Sequence, residues 1–190
     1  MRLGIFGGSF DPPHIGHFLA AVDAVEQLGL DCLFWVPAAQ QPLKTDAPHE
    51  ATMEQRYSMV AAATAVHPIF TPSRIEMDRG GLSYTVTTIE AFTQDNPGAE
   101  IFLLVGQDSW DRFSDWHHPQ RIRTLAQIVV LARPVLSQST QSAPDRWLQS
   151  RVVDVSSTEI RARVRAGHTI RGFVQDAVAD IIESEHMYRW

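Results

Sequence analysis

The stretch that decides the fold reads GIFGGSFDPPHIGH, from Gly4 to His17. An apolar run ends at two glycines, a turn rich in proline follows, and two histidines then stand three residues apart where a helix is expected to begin. A strand, a glycine-rich turn and a helix in this order are typical of the first unit of a parallel α/β sheet. Ligands of such sheets bind where the strands end, so the same stretch is a candidate binding site.

The rest of the chain alternates short apolar runs with helical patterns, which predicts a doubly wound parallel sheet of the Rossmann-like α/β class. Strands are predicted at about 3–6, 32–36, 70–77, 101–105, 128–131 and 152–155. Helices are predicted at about 17–28, 52–66, 83–92, from 156 onward and at 174–184. We expect a single domain over residues 1–190, in which the helical part from about 156 to 190 completes the site.

Local signals mark several predicted helix ends. Gly29 is expected to end the first helix, because glycine adopts the left-handed backbone found after helices. Thr52 and Gln55 have the spacing of a capping box. Ser83 is expected to cap the helix that follows it, since its hydroxyl can accept a hydrogen bond from a free helix N–H group.

Composition excludes several classes of function. The 190 residues carry a formal net charge of −6, whereas a nonspecific nucleic-acid binder would be basic. Cys32 is the only cysteine, which excludes an intrachain disulfide and a cysteine-rich metal site. No stretch has the length of a membrane span or a signal-peptide core. We therefore expect a cytoplasmic protein without a nucleic-acid or membrane partner, and the sequence leaves its oligomeric state open.

His14 and His17 allow three interpretations. They could ligate a metal with Asp11 as third ligand, cap the helix as structural residues, or bind an anion. The third interpretation is favoured, because backbone N–H groups of a glycine-rich turn and the positive end of a helix would converge on one point. The imidazole N–H groups would add donors, and Gly16 would let a phosphate approach the backbone.

A second stretch, SSTEIR at 156–161, is a candidate anion-binding helix start for the same physical reason. Ser156, Ser157 and Thr158 can cap a helix and present hydroxyl groups, and Arg161 lies about one turn further on. A planar guanidinium suits phosphate oxygens. By itself the pattern is weak, since a plain helix cap with a solvated arginine would look the same.

Together the two stretches carry a resemblance. HIGH at 14–17 resembles the phosphate-binding motif of the nucleotidyltransferase superfamily that includes the class I aminoacyl-tRNA synthetases. GGSFDPPHIGH with SSTEIR resembles the paired HxGH and SSTxxR elements of small adenylyltransferases, and 190 residues are too few for a synthetase. SYT at 83–85, GQDS at 106–109 with Trp116, and ARP at 132–134 are similar to the nicotinate mononucleotide adenylyltransferase family. The resemblance extends over essentially the whole chain.

The resemblance implies that ATP and nicotinate mononucleotide are joined to give deamido-NAD and pyrophosphate in NAD synthesis, with Mg²⁺ carried by ATP and no metal ligands in the protein. The implied catalytic residues are His14, His17, Lys44 and Arg161. The implied ATP contacts are Gly7, Gly8, Ser9, Phe10, Gly106, Asp108, Ser156, Ser157 and Thr158. The implied mononucleotide contacts are Tyr84, Thr85, Trp116 and Arg133.

One departure from the family pattern and several rivals stay open. Leu43 stands where the family has a histidine before the lysine of the loop after the second strand, and His49 is a candidate replacement. The sequence does not decide between nicotinate and nicotinamide mononucleotide. Phosphopantetheine adenylyltransferase, glycerol-phosphate cytidylyltransferase and a nucleotide sensor without turnover are the alternative functions.

Overall fold

The computed structural model describes residues 1–42, 49–132, 143–151 and 153–189. Six parallel strands form one sheet in the order β3-β2-β1-β4-β5-β6. The strands are β1 (Arg2–Gly8), β2 (Cys32–Pro37), β3 (Phe70–Pro72), β4 (Glu100–Gly106), β5 (Gln127–Ala132) and β6 (Arg146–Gln149). This confirms the predicted doubly wound α/β class.

Helices connect the strands and cover both faces of the sheet. They are α1 (Ile15–Leu28), α2 (Met53–Thr64), α3 (Ile75–Arg79), α4 (Thr85–Asp95), α5 (Gln107–Trp110), α6 (Pro119–Leu125), α7 (Ser157–Arg165) and α8 (Asp176–Ser184). A 3-10 turn covers Phe113–Asp115. No helix in the described part of the chain combines the length and apolar composition needed to cross a bilayer.

The core lies in two layers because alternate strand side chains point to opposite faces of the sheet. On one face, Phe6, Leu33 and Leu104 pack against α1. On the other face, Ile5 and Leu103 pack against α4 and α6. A third apolar cluster joins α2, α7 and α8 beside the sheet. Burial on both faces explains why the central strands read as nearly continuous apolar runs.

The two outer strands differ from the prediction. The strand expected at 70–77 ends at Pro72, and α3 begins at Ile75. β3 is an edge strand, where a proline without an N–H group is tolerated but pairing ends early. The strand expected at 152–155 is wrong: residues 153–155 form no strand, and the last strand is β6. Only Leu148 of β6 is buried, so this edge strand has no apolar run to reveal it.

The helix ends mostly follow the predicted signals. Gly29 ends α1 with a φ of 60°, and Thr52 and Gln55 form the predicted capping box. The expectation for Ser83 is wrong, because α4 begins at Thr85 after Tyr84. The Ser83 hydroxyl instead accepts a hydrogen bond from the Ala39 N–H at 2.9 Å, which ties the loop after β2 to the start of α4.

A buried carboxylate connects the chain termini. Asp11 accepts hydrogen bonds from the Glu50 N–H at 2.8 Å, the Ala51 N–H at 3.2 Å and the Tyr188 hydroxyl at 2.7 Å. Burial, together with the Asp11 charge, raises the pKa of Tyr188, which keeps this hydroxyl protonated and donating. The turn after β1, the segment before α2 and the C-terminal segment are therefore held at one point.

Replacing Tyr188 with phenylalanine should lower the free energy of unfolding by about 1.5–3 kcal/mol, because a buried hydrogen bond to a charged acceptor is lost. Urea unfolding followed by circular dichroism measures the change. Tyr57→Phe is the matched control, since the Tyr57 ring is half-buried on α2 and packs under Arg74. Equal stabilities of the two variants would contradict this role of Tyr188.

Candidate active site

The described residues of the predicted site lie at or after the carboxyl ends of β1 and β4 and at or near the starts of α1, α4 and α7. From β1 the sheet extends through β2 to β3 on one side and through β4 to β6 on the other. Gly8 pairs with Pro37 across β1 and β2, and Phe6 pairs with Leu104 across β1 and β4, so the three carboxyl ends lie level. A crevice opens between β1 and β4 at such a switch point, and ligands of open α/β sheets bind there.

The Phe10 side chain in the turn after β1 folds back against the end of the strand. A Cβ atom on Gly8 would lie 3.0 Å from the Phe10 ring, so glycine is required for the ring to fold back over the strand end. Phe10 adopts a positive φ of 48° and is 1% exposed. Its ring belongs to the core, which leaves the backbone of this turn to face a ligand.

Arg56 supports the same turn from below. This side chain is 1% exposed and donates to the carbonyl oxygens of Ser9 at 3.0 Å and Ala38 at 2.6 Å. Burial lowers the pKa of its guanidinium, and the nearby Asp11 charge opposes that shift. This role of Arg56 was not predicted from the sequence, where a charged residue in line with the buried positions of α2 was the signal for it.

The two histidines form one stacked unit at the start of α1. His14 caps the helix, so α1 begins two residues before the expected position. The backbone N–H of His14 donates to Nδ1 of His17 at 3.2 Å, and the ring centroids lie 3.7 Å apart. Because Nδ1 accepts, the neutral His17 ring carries its proton on Nε2, which is then a donor.

Burial keeps both imidazoles uncharged. It lowers the pKa of His14 to about 4, and burial together with the neighbouring His14 places the pKa of His17 well below its ordinary value. Nδ1 of His14 is buried without a hydrogen-bond partner among the described residues. An unpaired buried nitrogen at a helix start is a place where a ligand group would relieve a desolvation cost.

The structure gives the carboxylate considered above as a third metal ligand other partners. In the described ranges, no three histidine, cysteine, aspartate or glutamate side chains are grouped to hold a metal ion. Asp11, the third ligand considered, uses both carboxylate oxygens for protein hydrogen bonds. His14 and His17 remain as a pair of neutral donors.

The helix start differs in two details from expectation. A Cβ atom on Gly16 would come within 3.1 Å of the His14 ring, so Gly16 makes room for this imidazole rather than only for a ligand. The Ile15 N–H donates to the Phe173 carbonyl at 2.9 Å. One free N–H group of the helix start is therefore already used by the segment before α8.

The second motif meets the first directly. Ser156 caps α7 as predicted, accepting from the Glu159 N–H at 3.1 Å. The Ser157 hydroxyl donates to the Pro12 carbonyl at 2.8 Å, and Arg161 donates through Nη1 to the Asp11 carbonyl at 2.8 Å. Residues about 145–150 positions apart in sequence thus share one surface.

Arg161 also makes an ion pair that the sequence analysis missed. Its Nε donates to Oε1 of Glu50 at 2.7 Å, and Arg165 donates through Nη1 to Oε2 of the same carboxylate at 2.7 Å. Burial opposes ionisation of Glu50, but the hydrogen bonds from Arg165 and Arg161 outweigh it and lower the pKa of this carboxyl. No local pattern around residue 50 indicates this pair.

The other side of the crevice presents the residues after β4 and before α4. Gly106 caps α5 with open space where a Cβ would stand, and Asp108 is exposed in the first turn of α5. Trp116 is half-buried with its ring 5.3 Å from Phe113. Its position leaves part of an aromatic surface accessible.

The start of α4 borders the loop after β2. Tyr84 precedes the helix and its ring lies 4.4 Å from that of His117, while Thr85 is the first helical residue and is half-buried. The Ser83 N–H donates to the Gln40 carbonyl at 2.8 Å. Lys44, with Leu43 before it, and Arg133 lie outside the described residues, whereas His49 is described and half-buried.

Comparisons with known proteins identify the family of the chain. A model of the cytidylyltransferase-like family matches residues 5–163. A probable nicotinate-nucleotide adenylyltransferase of Gemmatimonas aurantiaca is 46% identical over 198 residues, covering 100% of this chain and 93% of the relative. A Thermus thermophilus protein of the same description is 41% identical over 189 residues, and the match covers 100% of both chains.

The fold is also shared with solved structures. Plasmodium falciparum nicotinic acid mononucleotide adenylyltransferase complexed with NaAD superposes with a TM-score of 0.77 at 14% sequence identity, covering 98% of this chain and 97% of that one. At this identity the likeness concerns the fold alone.

The low pKa of His14 predicts a titration that depends on ligand. In the free protein the imidazole should take up a proton only near pH 4, and bound ATP should raise this pKa because phosphate charge stabilises imidazolium. Histidine NMR spectra recorded against pH, with His14→Ala for assignment, measure both values. A free-protein pKa near 6.5, or no change with ATP, would contradict the proposed environment.

The lowered pKa of His14 also determines how its contribution to stability changes with pH. The folded-state pKa lies below that of the unfolded chain, about 6.5. The unfolded state therefore binds more protons at intermediate pH, so the contribution of His14 to stability is complete above about pH 6.5 and declines as the pH falls toward 4.

Proposed function

The chain belongs to the cytidylyltransferase-like family and, within it, to the nicotinate-nucleotide adenylyltransferases, and we propose that it transfers AMP from ATP to nicotinate mononucleotide. The products are deamido-NAD and pyrophosphate, which places the reaction in NAD synthesis. The observation that carries the proposal is the contact between the two motifs: Ser157 binds the Pro12 carbonyl and Arg161 binds the Asp11 carbonyl beside the histidine pair.

We propose that the ATP phosphates lie between the start of α1 and the start of α7. His17, with its proton on Nε2, and His14 supply neutral donors, while Arg161 and Lys44 supply charge. Gly7, Gly8, Ser9 and Phe10 contribute backbone, and Ser156, Ser157 and Thr158 contribute the second helix start. Gly106 and Asp108 hold the adenosine, with Asp108 on the ribose hydroxyls, since the open space at Gly106 and the exposed Asp108 carboxylate lie at the same strand edge.

The mononucleotide is assigned to the side of the crevice near α4 and the 3-10 turn. Trp116 stacks on the pyridine ring, because an aromatic side chain that is half-buried against Phe113 is held in place but keeps exposed surface. Tyr84 and Thr85 complete this side, and Arg133 is proposed as a further contact to the mononucleotide from the resemblance alone. The Ser83 contacts to the loop after β2 support the placement, since they fix the start of α4 beside the strand ends.

The chemistry requires no general base. The phosphate oxygen of the mononucleotide is ionised near neutral pH and attacks the α-phosphorus of ATP; the new P–O bond forms as the bond to pyrophosphate breaks. The protein has to align the reactants and stabilise charge on the phosphates. Two neutral imidazoles suit this role, because each keeps one N–H group that can donate a hydrogen bond to a phosphate oxygen.

Adenylyl transfer from ATP generally involves a divalent metal ion, and we propose that Mg²⁺ arrives bound to the ATP phosphates. An ion bound in this way would neutralise part of the phosphate charge. The described residues offer no cluster of their own for such an ion. The groups named above therefore act on the nucleotide through hydrogen bonds and charge.

We further propose that residues 156–190 belong to the same functional unit as the sheet. Ile160, Val178 and Tyr188 pack with Met59 of α2 in one apolar cluster. The Ile15 N–H and the Phe173 carbonyl add a contact at the start of α1. Without this C-terminal part the second phosphate motif would be missing.

Pyrophosphate release measured with ATP and Mg²⁺ tests the activity. Nicotinate mononucleotide, nicotinamide mononucleotide and phosphopantetheine are offered in parallel as acceptors. We expect turnover with nicotinate mononucleotide. Turnover with phosphopantetheine alone would contradict the proposal, and ATP binding without turnover on any acceptor would identify a sensor instead.

Replacing His17 with alanine should lower kcat about 100- to 1,000-fold while changing the KM for the mononucleotide much less, because one preorganised donor to the phosphates is lost. Steady-state kinetics on a variant with an unchanged melting temperature measures this. His67→Ala is the control, since His67 stacks on Phe70 of the edge strand β3 and has no role in the proposed site. Near-normal turnover of His17→Ala would show that His17 has no role in catalysis.

A further inference from the structure

Glu50 and Arg165 lie behind Arg161 and have no assigned role. The Glu50 carboxylate receives Arg161 on one oxygen and Arg165 on the other, each at 2.7 Å, while its backbone N–H is bound to Asp11 at 2.8 Å. The side chains of Arg161 and Glu50 are 18% and 32% exposed, so water screens this pair only in part. The arrangement joins the first motif, the segment before α2 and the second motif.

We propose that Glu50 is a positioning residue for Arg161 and that Arg165 supplies the charge that this positioning would otherwise cancel. The proposal rests on the proposed function of the site, because it assigns Arg161 to the ATP phosphates. It concerns how Arg161 is held and how much positive charge it presents.

The positioning argument follows from the donors of Arg161. Nε is bound to Glu50 and Nη1 to the Asp11 carbonyl, which fixes the plane of the guanidinium at two points. Nη2 lies 3.5 Å from the Thr158 hydroxyl, a long contact on the side of the α7 start. The guanidinium is thus preorganised with its remaining donors toward the second motif.

The charge argument follows from counting the groups. A carboxylate beside a single arginine would make a neutral pair, which attracts phosphate weakly. Arg165 lies one helical turn further along α7, in a cleft beside Ile182 and Arg189, and binds the same carboxylate from the other side. The side chains of Arg161, Arg165 and Glu50 together carry one net positive charge. The opposite charges of Asp11 and Arg56, which lie beneath this group, cancel each other.

The two roles predict opposite kinetic signatures for two variants. Glu50→Gln removes one negative charge and weakens the contact to Arg161 Nε, because a neutral amide replaces the carboxylate. The kcat should therefore fall about 10- to 100-fold while ATP binds as tightly as before or more tightly. Arg165→Gln keeps Arg161 on Glu50 but removes the net charge, so the Kd of ATP should rise about fivefold with a small change in kcat. The Arg165 effect should fade at high salt.

The experiment measures ATP binding by calorimetry and turnover by pyrophosphate release. ATP binding is read without the acceptor, so a failure of the proposed acceptor leaves the Arg165 test intact, and wild-type turnover reports separately on the proposed function. Arg171→Gln is the matched control, since Arg171 pairs with Asp180 and Glu183 on the C-terminal helix and does not reach Glu50. It should behave as wild type.

Conservative variants separate these roles from a general loss of structure. Arg165→Lys keeps the charge and should restore ATP affinity. Glu50→Asp keeps the charge but shortens the side chain, so kcat should fall even if Glu50→Gln does not fold. Wild-type kcat in Glu50→Asp and Glu50→Gln would overturn the positioning role, and equal ATP affinity of Arg165→Gln and Arg171→Gln would overturn the charge role.

Discussion

The buried carboxylate of Asp11 is the interaction on which the site depends. Its oxygens accept hydrogen bonds from the Glu50 N–H, the Ala51 N–H and the Tyr188 hydroxyl, and its own carbonyl accepts from Arg161. A buried carboxylate is stable only when its acceptor capacity is filled. Filling it brings together three segments that are distant in sequence, and the turn after β1 thereby lies against the start of α7.

The histidine pair shows how burial serves the chemistry. Desolvation lowers the pKa values of His14 and His17, so both rings stay neutral at physiological pH. This costs some stability in acid, where protonation favours the unfolded chain. The backbone N–H of His14 and packing against Phe10 set the orientation of the His17 ring, which keeps its N–H group on Nε2.

The predictions that succeeded depended on local chemistry, and those that failed depended on neighbours. Gly29 and the Thr52 capping box were readable because backbone conformation and capping act within one helical turn. Serine often caps helices, but the Ser83 hydroxyl accepts a hydrogen bond from the Ala39 N–H in the loop after β2. No local pattern indicates this partner. β6 was missed because an edge strand with a single buried residue, Leu148, has no apolar periodicity.

The sequence by itself determined the doubly wound class and the helix ends at Gly29 and Thr52, because apolar periodicity, glycine turns and helix caps act over a few residues. Only the tertiary structure decided that Glu50 binds Arg161, that Arg56 supports the Ser9 turn, and that the ring at His14 occupies the space beside Gly16. The physical reason is that ion pairs and buried hydrogen bonds form between groups far apart in the chain. Their partners are fixed by packing, and the type of residue alone does not specify them.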